Sequence, residues 1–193
     1  MSDLSEAHVT RSADGTAITY HLIGNGPLDP IWIEPGGSVE ILWDDPGFSR
    51  IVRRLANFGQ VVAVDARGTG ASGGDSTDQF RVETVYNADV LAVLDALGAD
   101  RATFVGWSVT GIRALKFAAT HPERVDALVK VNSCAHYVRE DDYPWGYPRE
   151  RLHDVAALIE KSWSTTAELD MTAPSRMTDD HLRVVWAALD DRG

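Results

Sequence analysis

Ala102-Thr103-Phe104-Val105-Gly106-Trp107-Ser108-Val109-Thr110-Gly111-Ile112 is the stretch that decides the fold. The apolar run Ala102–Gly106 reads as a buried strand, and Ile112, Leu115 and Ala119 then recur at helical spacing up to His121-Pro122. Ser108 therefore falls on a tight strand-to-helix turn. A serine in that place is lifted above the end of a sheet, with small neighbours relieving the crowding. Its hydroxyl faces a bound molecule, and the next amide, that of Val109, can help hold an oxyanion. The pattern departs from G-x-S-x-G, because Thr110 takes the second small position and Gly111 follows one place later. A β-branched residue there predicts a more strained or altered turn. The bland reading is a chance G-x-S in which Ser108 is a helix N-cap.

Working outward, short apolar runs alternate with helical patterns. His8–Ser12 and Thr16–Leu22 read as paired strands about Asp14-Gly15, a type I′ turn signal. Ile31-Trp32-Ile33, Gln60–Val64 and Ala127–Val131 read as further strands. Between them, Phe48, Ile51, Val52 and Leu55 form one helical face, and Tyr86, Val90, Val93, Leu94 and Leu97 form another, closed by Gly98. Strands alternating with helices imply right-handed crossovers and a doubly wound, mostly parallel α/β sheet of about six strands. Past Cys134 no strand-like run appears. Leu152, Val155, Ala156, Ile159 and Trp163 form an amphipathic pattern, as do Leu182, Val185, Trp186 and Leu189, with Thr178 as N-cap and Met177 as staple to Leu182. The expected domains are a core over 1–135 and a helical cap segment over 136–193.

Composition narrows the classes. A chain of 193 residues with 44% hydrophobic and 24% charged residues suits one soluble core. Lys and Arg number 18 against 29 Asp and Glu, a formal charge of −11 that disfavours nucleic acid or an anionic membrane as partner. No apolar run suits a membrane span, and the polar N-terminus has no signal-like core, so the expected location is cytoplasmic. One cysteine, Cys134, excludes an internal disulfide framework and a cysteine-rich zinc site. Cys134 and His136 are too few for a metal site, and Glu140, Asp141 and Asp142 read as a solvated loop. No metal or cofactor is expected. Gly68, Gly70 and Gly73 fit the dinucleotide pattern G-x-G-x-x-G, but they run into the acidic Gly74-Asp75-Ser76-Thr77-Asp78 rather than a helix that could receive a pyrophosphate.

Three segments stand in a telling order: Pro35-Gly36-Gly37 after one strand, Asp65-Ala66-Arg67-Gly68-Thr69-Gly70 after the next, and the turn at Ser108. With Trp43-Asp44-Asp45-Pro46-Gly47-Phe48, Phe117–Val125 and Asp142-Tyr143-Pro144-Trp145-Gly146, the chain resembles the α/β-hydrolases, in particular those associated with class III adenylate cyclases. The resemblance covers most of residues 20–150. It implies Ser108 as nucleophile toward an ester-like or other carbonyl substrate, a small molecule, through an acyl-enzyme. It also implies the Gly37 and Val109 amides as the oxyanion hole. Pro35 departs from it, standing where a histidine is usual. Trp107 and Trp145 are candidate pocket walls, although an aromatic in either place is as often core.

A hydrolase of this fold needs an acid and then a histidine after the serine. His8 and His21 precede Ser108, His121 lies at the far end of the following helix, and His153 and His181 fall on cap helices. No complete triad can be written, so the chain is expected to be incomplete and weakly active or inactive alone. Three readings stay open: an N-terminal piece of a longer hydrolase, a short protein that binds a ligand without turning it over, or an improvised base at His136 or His153. The different-class alternative is thus a non-catalytic ligand-binding or signalling module. A sheet ending at Ala127–Val131 would also offer an open apolar edge, so self-association is expected.

Overall fold

Six strands in the order β1-β2-β4-β3-β5-β6 form one sheet in the computed structural model, which describes residues 4–26, 28–162 and 173–190. β1 (Ala7–Arg11) and β2 (Ala17–Ile23) pair antiparallel, and β2 pairs antiparallel with β4 (Gly59–Val64). β3 (Leu28–Ile33) lies parallel between β4 and β5 (Ala102–Trp107), and β6 (Val125–Val131) runs parallel to β5. The chain divides into two compact units, Met1–Ser133 and Cys134–Arg192.

Period-two alternation sends each parallel strand to two cores. Trp32, Val62, Val64 and Phe104 face a cluster with α3 (Asn87–Leu97) and α4 (Val109–Thr120), while Ile31, Ile33, Val61 and Ala63 meet Val39, Trp43, Phe48 and Val52. Those last four lie on α1 (Val39–Trp43) and α2 (Pro46–Leu55). Helices therefore cover both faces, as the alternation requires. Ser38 caps α1, Asp45 caps α2 with Pro46 in its first turn, and Gly98 closes α3 in the left-handed conformation at φ 64°.

Local details differ from the sequence reading. The hairpin is not type I′. Asp14 keeps a negative φ, Gly15 alone has φ 86°, and Ser12 and Thr16 close the loop through Ser12 N–H to Thr16 O at 2.9 Å. That is a three-residue loop with a glycine bulge, which suits strand twist equally well. Ile51 is exposed, and Phe48, Ser49 and Val52 make the buried face of α2. On α4 the buried face is Ile112, Arg113, Ala114 and Phe117, with Ala119 exposed, because that helix packs on the Phe104 ring through Phe117 at 5.1 Å.

In the second unit, Val138 bridges Tyr147 and Glu140 bridges Tyr143, followed by α5 (Arg149–Ser162) and α6 (Asp180–Asp190). Asp179, not Thr178, caps α6, accepting from Leu182 N–H at 3.0 Å. Trp163 lies outside the described residues, as do the side chains of Val155, Ala156, Ile159, Val185, Trp186 and Leu189.

Arg67 ties three elements together. Its guanidinium binds both Asp89 oxygens on α3 at 2.6 and 3.0 Å, both Asp14 oxygens in the hairpin loop at 2.7 and 3.2 Å, and Thr16 Oγ1 at 2.7 Å. The Arg67 hydrogen bonds hold the Asp14 carboxyl well below its ordinary value. A carboxyl lowered on folding contributes stability above its unfolded pKa, ~3.9, and loses it as pH falls below that. Asp14→Asn is therefore expected to melt below the parent at pH 7, with the gap closing in acid; thermal melts across a pH series check this. A second expectation concerns β6, whose Val129 and Val131 are exposed and whose outer edge no described strand pairs. Size-exclusion chromatography should find associated species, dispersed by Val129→Lys.

Candidate active site

One residue separates β5 from α4, and Ser108 makes the whole turn at φ 52°, ψ −126°. A non-glycine residue there is strained by ~1–3 kcal/mol and persists only where its surroundings over-determine it. They do. Ser108 N–H donates to Val131 O of β6 at 3.1 Å, and Ser133 Oγ–H donates to Ser108 O at 2.8 Å. Thr110 Oγ1 accepts from Trp107 N–H at 3.1 Å and donates to Trp107 O at 2.9 Å. Thr110 thus braces the turn from a buried position rather than distorting it, which answers the expectation of an altered elbow.

The glycines explain how close the elements come. A Cβ on Gly106 would stand 2.7 Å from the Gly111 Cα, and one on Gly111 would stand 2.6 Å from Ser133 Oγ. The small residue moved one place along serves the same crossing of strand and helix. Ser108 makes no side-chain capping bond to α4 and is exposed, so the simple N-cap reading does not describe it.

The second segment arrives by topology. β3 and β5 are parallel neighbours, with Ile33 opposite Val105, so their C-terminal ends lie side by side. The chain leaves β3 toward β4 on one side and leaves β5 toward β6 on the other. That reversal opens the crevice in which doubly wound sheets bind ligands. Pro35-Gly36-Gly37 stands in it beside the elbow. Gly36 has φ 84°, and a Cβ there would lie 3.8 Å from Thr110 Cγ2. Val109 is the first residue of α4, where amides lack intrahelical acceptors.

Two buried carboxylates bracket this loop: Asp65, which the sequence places in a telling segment without a role of its own, and Glu34, which it does not single out. Asp65 accepts from Val39 N–H at 2.7 Å and from Ala71 N–H at 2.8 Å. Burial pushes its carboxyl up, against the pull of those amides. Glu34 is ion-paired with Arg113 of α4, and each side chain is 3% exposed or less. Burial raises the Glu34 carboxyl too, opposed by Arg113 and the Tyr86 hydroxyl. The available signal was a charge set against an apolar pattern, Glu34 behind Ile31-Trp32-Ile33 and Arg113 between Ile112 and Ala114.

Of the sequence-derived site residues, Ser108, Val109, Gly37 and Trp107 all lie in the first unit. Trp107 is half-buried, edge-on to Phe48 at 6.4 Å, and packs on the α1–α2 core. Trp145 belongs to the second unit, 76% exposed and edge-on to Tyr143 at 5.9 Å. His8 stacks on Tyr20, His21 meets Ser5 O at 2.8 Å, and His121 packs on Phe117. His136 packs on Tyr143 in the second unit, which also holds His153 and His181. The Gly68–Gly73 segment folds back on itself, Gly68 N–H to Gly73 O at 2.9 Å, and a Cβ on Gly70 would stand 2.3 Å from the Asp65 carboxylate. Gly70 thus serves close packing against Asp65, and Gly68 close approach to Asp75 and Ser76. Among the described residues no group of three or more His, Cys, Asp or Glu could hold a metal ion, and no helix is long and apolar enough to cross a membrane.

The chain also compares with known proteins. A family model described as alpha/beta hydrolase fold matches residues 38–183. A pimeloyl-[acyl-carrier protein] methyl ester esterase of Chromobacterium violaceum is 33% identical over 121 residues, 63% of this chain and 45% of that protein. Karrikin insensitive 2 receptor IA of Petunia hybrida is 24% identical over 151 residues, 76% of this chain and 53% of that one. Among solved structures, an esterase from Exiguobacterium antarcticum superposes with a TM-score of 0.63 at 24% identity, covering 81% of this chain and 56% of that one. The chain thus spans about half the length of these relatives.

The strain at Ser108 has a measurable consequence. Ser108→Gly relieves ~1–3 kcal/mol of backbone strain and gives back up to ~1 kcal/mol through unfolded-chain entropy. Urea unfolding is expected to find Ser108→Gly more stable than Ser108→Ala by ~1 kcal/mol.

Proposed function

The chain belongs to the α/β-hydrolase fold family, and from that premise we propose that it carries the nucleophile of a serine hydrolase acting on an ester-like or other carbonyl substrate. The observation that carries the reading is the exposed, strained turn at Ser108 (φ 52°). Ser108 Oγ attacks the carbonyl carbon, and the negative charge gathers on the carbonyl oxygen. The amides of Val109 and Gly37 are the donors for that oxygen, offered where charge develops and fixed before it does. Collapse of the tetrahedral intermediate expels the alcohol and leaves an acyl-enzyme, which water then cleaves. The proton of Ser108 needs a base, and the three first-unit histidines are each engaged elsewhere. The similarity to the methyl ester esterase supports an ester as substrate class.

A second reading is a ligand-binding module that keeps the crevice and does no turnover. The engaged histidines favour it, as does the similarity to a protein named as a receptor. A fluorophosphonate probe separates the two. The expected outcome is covalent labelling at Ser108, reduced to background in Ser108→Ala, with p-nitrophenyl ester turnover lost in the same variant. A folded parent chain that does not label would establish the binding reading instead.

A further inference from the structure

We propose that the buried Glu34–Arg113 pair is a positioning clamp that sets the spacing between the two halves of the oxyanion hole. The proposal rests on the hydrolase reading and adds a pair of residues to it. Glu34 directly follows β3 and directly precedes Pro35-Gly36-Gly37. Arg113 lies on α4, whose first amide is that of Val109. The two charges meet with 2% and 3% of their side chains exposed, so neither is a solvated surface group. Tyr86 completes the arrangement, hydrogen-bonding Glu34 through its hydroxyl and lying under the Arg113 guanidinium, 5.5 Å from Cζ to ring centroid.

β3 and β5 pair along their backbones up to Ile33 and Val105, with the Trp32 and Phe104 rings 5.7 Å apart beneath. Past that register each chain turns away on its own. The ion pair ties the first loop residue directly to the helix carrying the second donor. At the loop's other end the Val39 amide is held by Asp65. The loop is thus pinned at both ends while Gly36 supplies the left-handed turn between them.

A buried ion pair is weak evidence for a stabilising role, since apolar residues of similar volume often replace one at no loss of stability. Its place between the loop and the helix points to geometry. An oxyanion donor works only within ~2.7–3.1 Å of the developing charge, and losing one costs ~10²–10³-fold in turnover. A loop free to drift relative to α4 would lose that register.

The test uses the double variant Glu34→Leu with Arg113→Met, which removes both charges and leaves neither unpaired. Glu34→Gln is the conservative partner, retaining an acceptor for Arg113 and Tyr86. Amide hydrogen exchange at residues 36–39 reads the loop without any catalysis, and thermal melting checks the fold. Fluorophosphonate labelling of Ser108 and the kcat and KM for a p-nitrophenyl ester read the donors. The expected result is faster exchange in the loop alone, with labelling rate and kcat down ~10²-fold at unchanged KM. Glu34→Gln is expected to recover most of both. Unchanged loop exchange in a folded double variant overturns the clamp, as does a loosened loop with undiminished labelling. If the double variant does not fold, Arg113→Lys carries the same exchange readout, with faster exchange in the loop expected. A parent chain that never labels counts against the proposed function, whereas the exchange result judges the clamp by itself.

Discussion

The structure turns on a single residue that must reverse the chain. β5 hands over to α4 within one amino acid, and Ser108 takes a backbone conformation that side chains avoid. Such a turn is affordable only when its neighbours come very close and hold it. Gly106 and Gly111 lack the side chains that would forbid the approach, and Val131, Ser133 and Thr110 supply the hydrogen bonds that fix it. Strain, exposure of the hydroxyl and a free helical amide all follow from the same handover. In a sheet with a gentler connection none of the three would occur together.

Around that turn, charged groups do their work inside the protein. Arg67 joins the hairpin loop to α3, Asp65 holds the start of α1, and Glu34 reaches α4 through Arg113. Each charge is compensated by a partner of opposite sign or by amide donors, which is the condition for burying it. All three groups sit at or just after the C-terminal ends of β3 and β4. The loops at that end of the sheet are therefore anchored by directional bonds, while the strands beneath them are held by apolar packing. Doubly wound sheets place their ligand sites at that end of the sheet.

How far the residues themselves disclosed this varies by element. The strands Ile31-Trp32-Ile33, Gln60–Val64 and Ala102–Gly106 were legible because both faces are buried and the runs are unbroken. The face of α4 was not, because Arg113 stands in the buried row and a polarity pattern assigns a charge to solvent. The hairpin turn was misread for a subtler reason. Asp-Gly suits two loop lengths, and register with β2, not the dipeptide, chooses between them. Thr110 looked like an obstacle because its bulk is visible in sequence and its two hydrogen bonds to Trp107 are not.

Local chemistry by itself determined the alternation of strands and helices, the small residues at the elbow and Ser108 as the residue placed on it. These depend on periodicity, chain stiffness and the scarcity of glycine-like conformations, all properties of neighbours in the chain. Which groups share a site was decided by tertiary structure alone. The loop at Gly36 meets the elbow at Thr110 because β3 and β5 became neighbours. Glu34 and Arg113 lie far apart in the chain and are matched only once β3 and α4 pack together. Separation along the chain carries no record of such pairings, because a buried charge is tolerated only by the partner that folding brings to it.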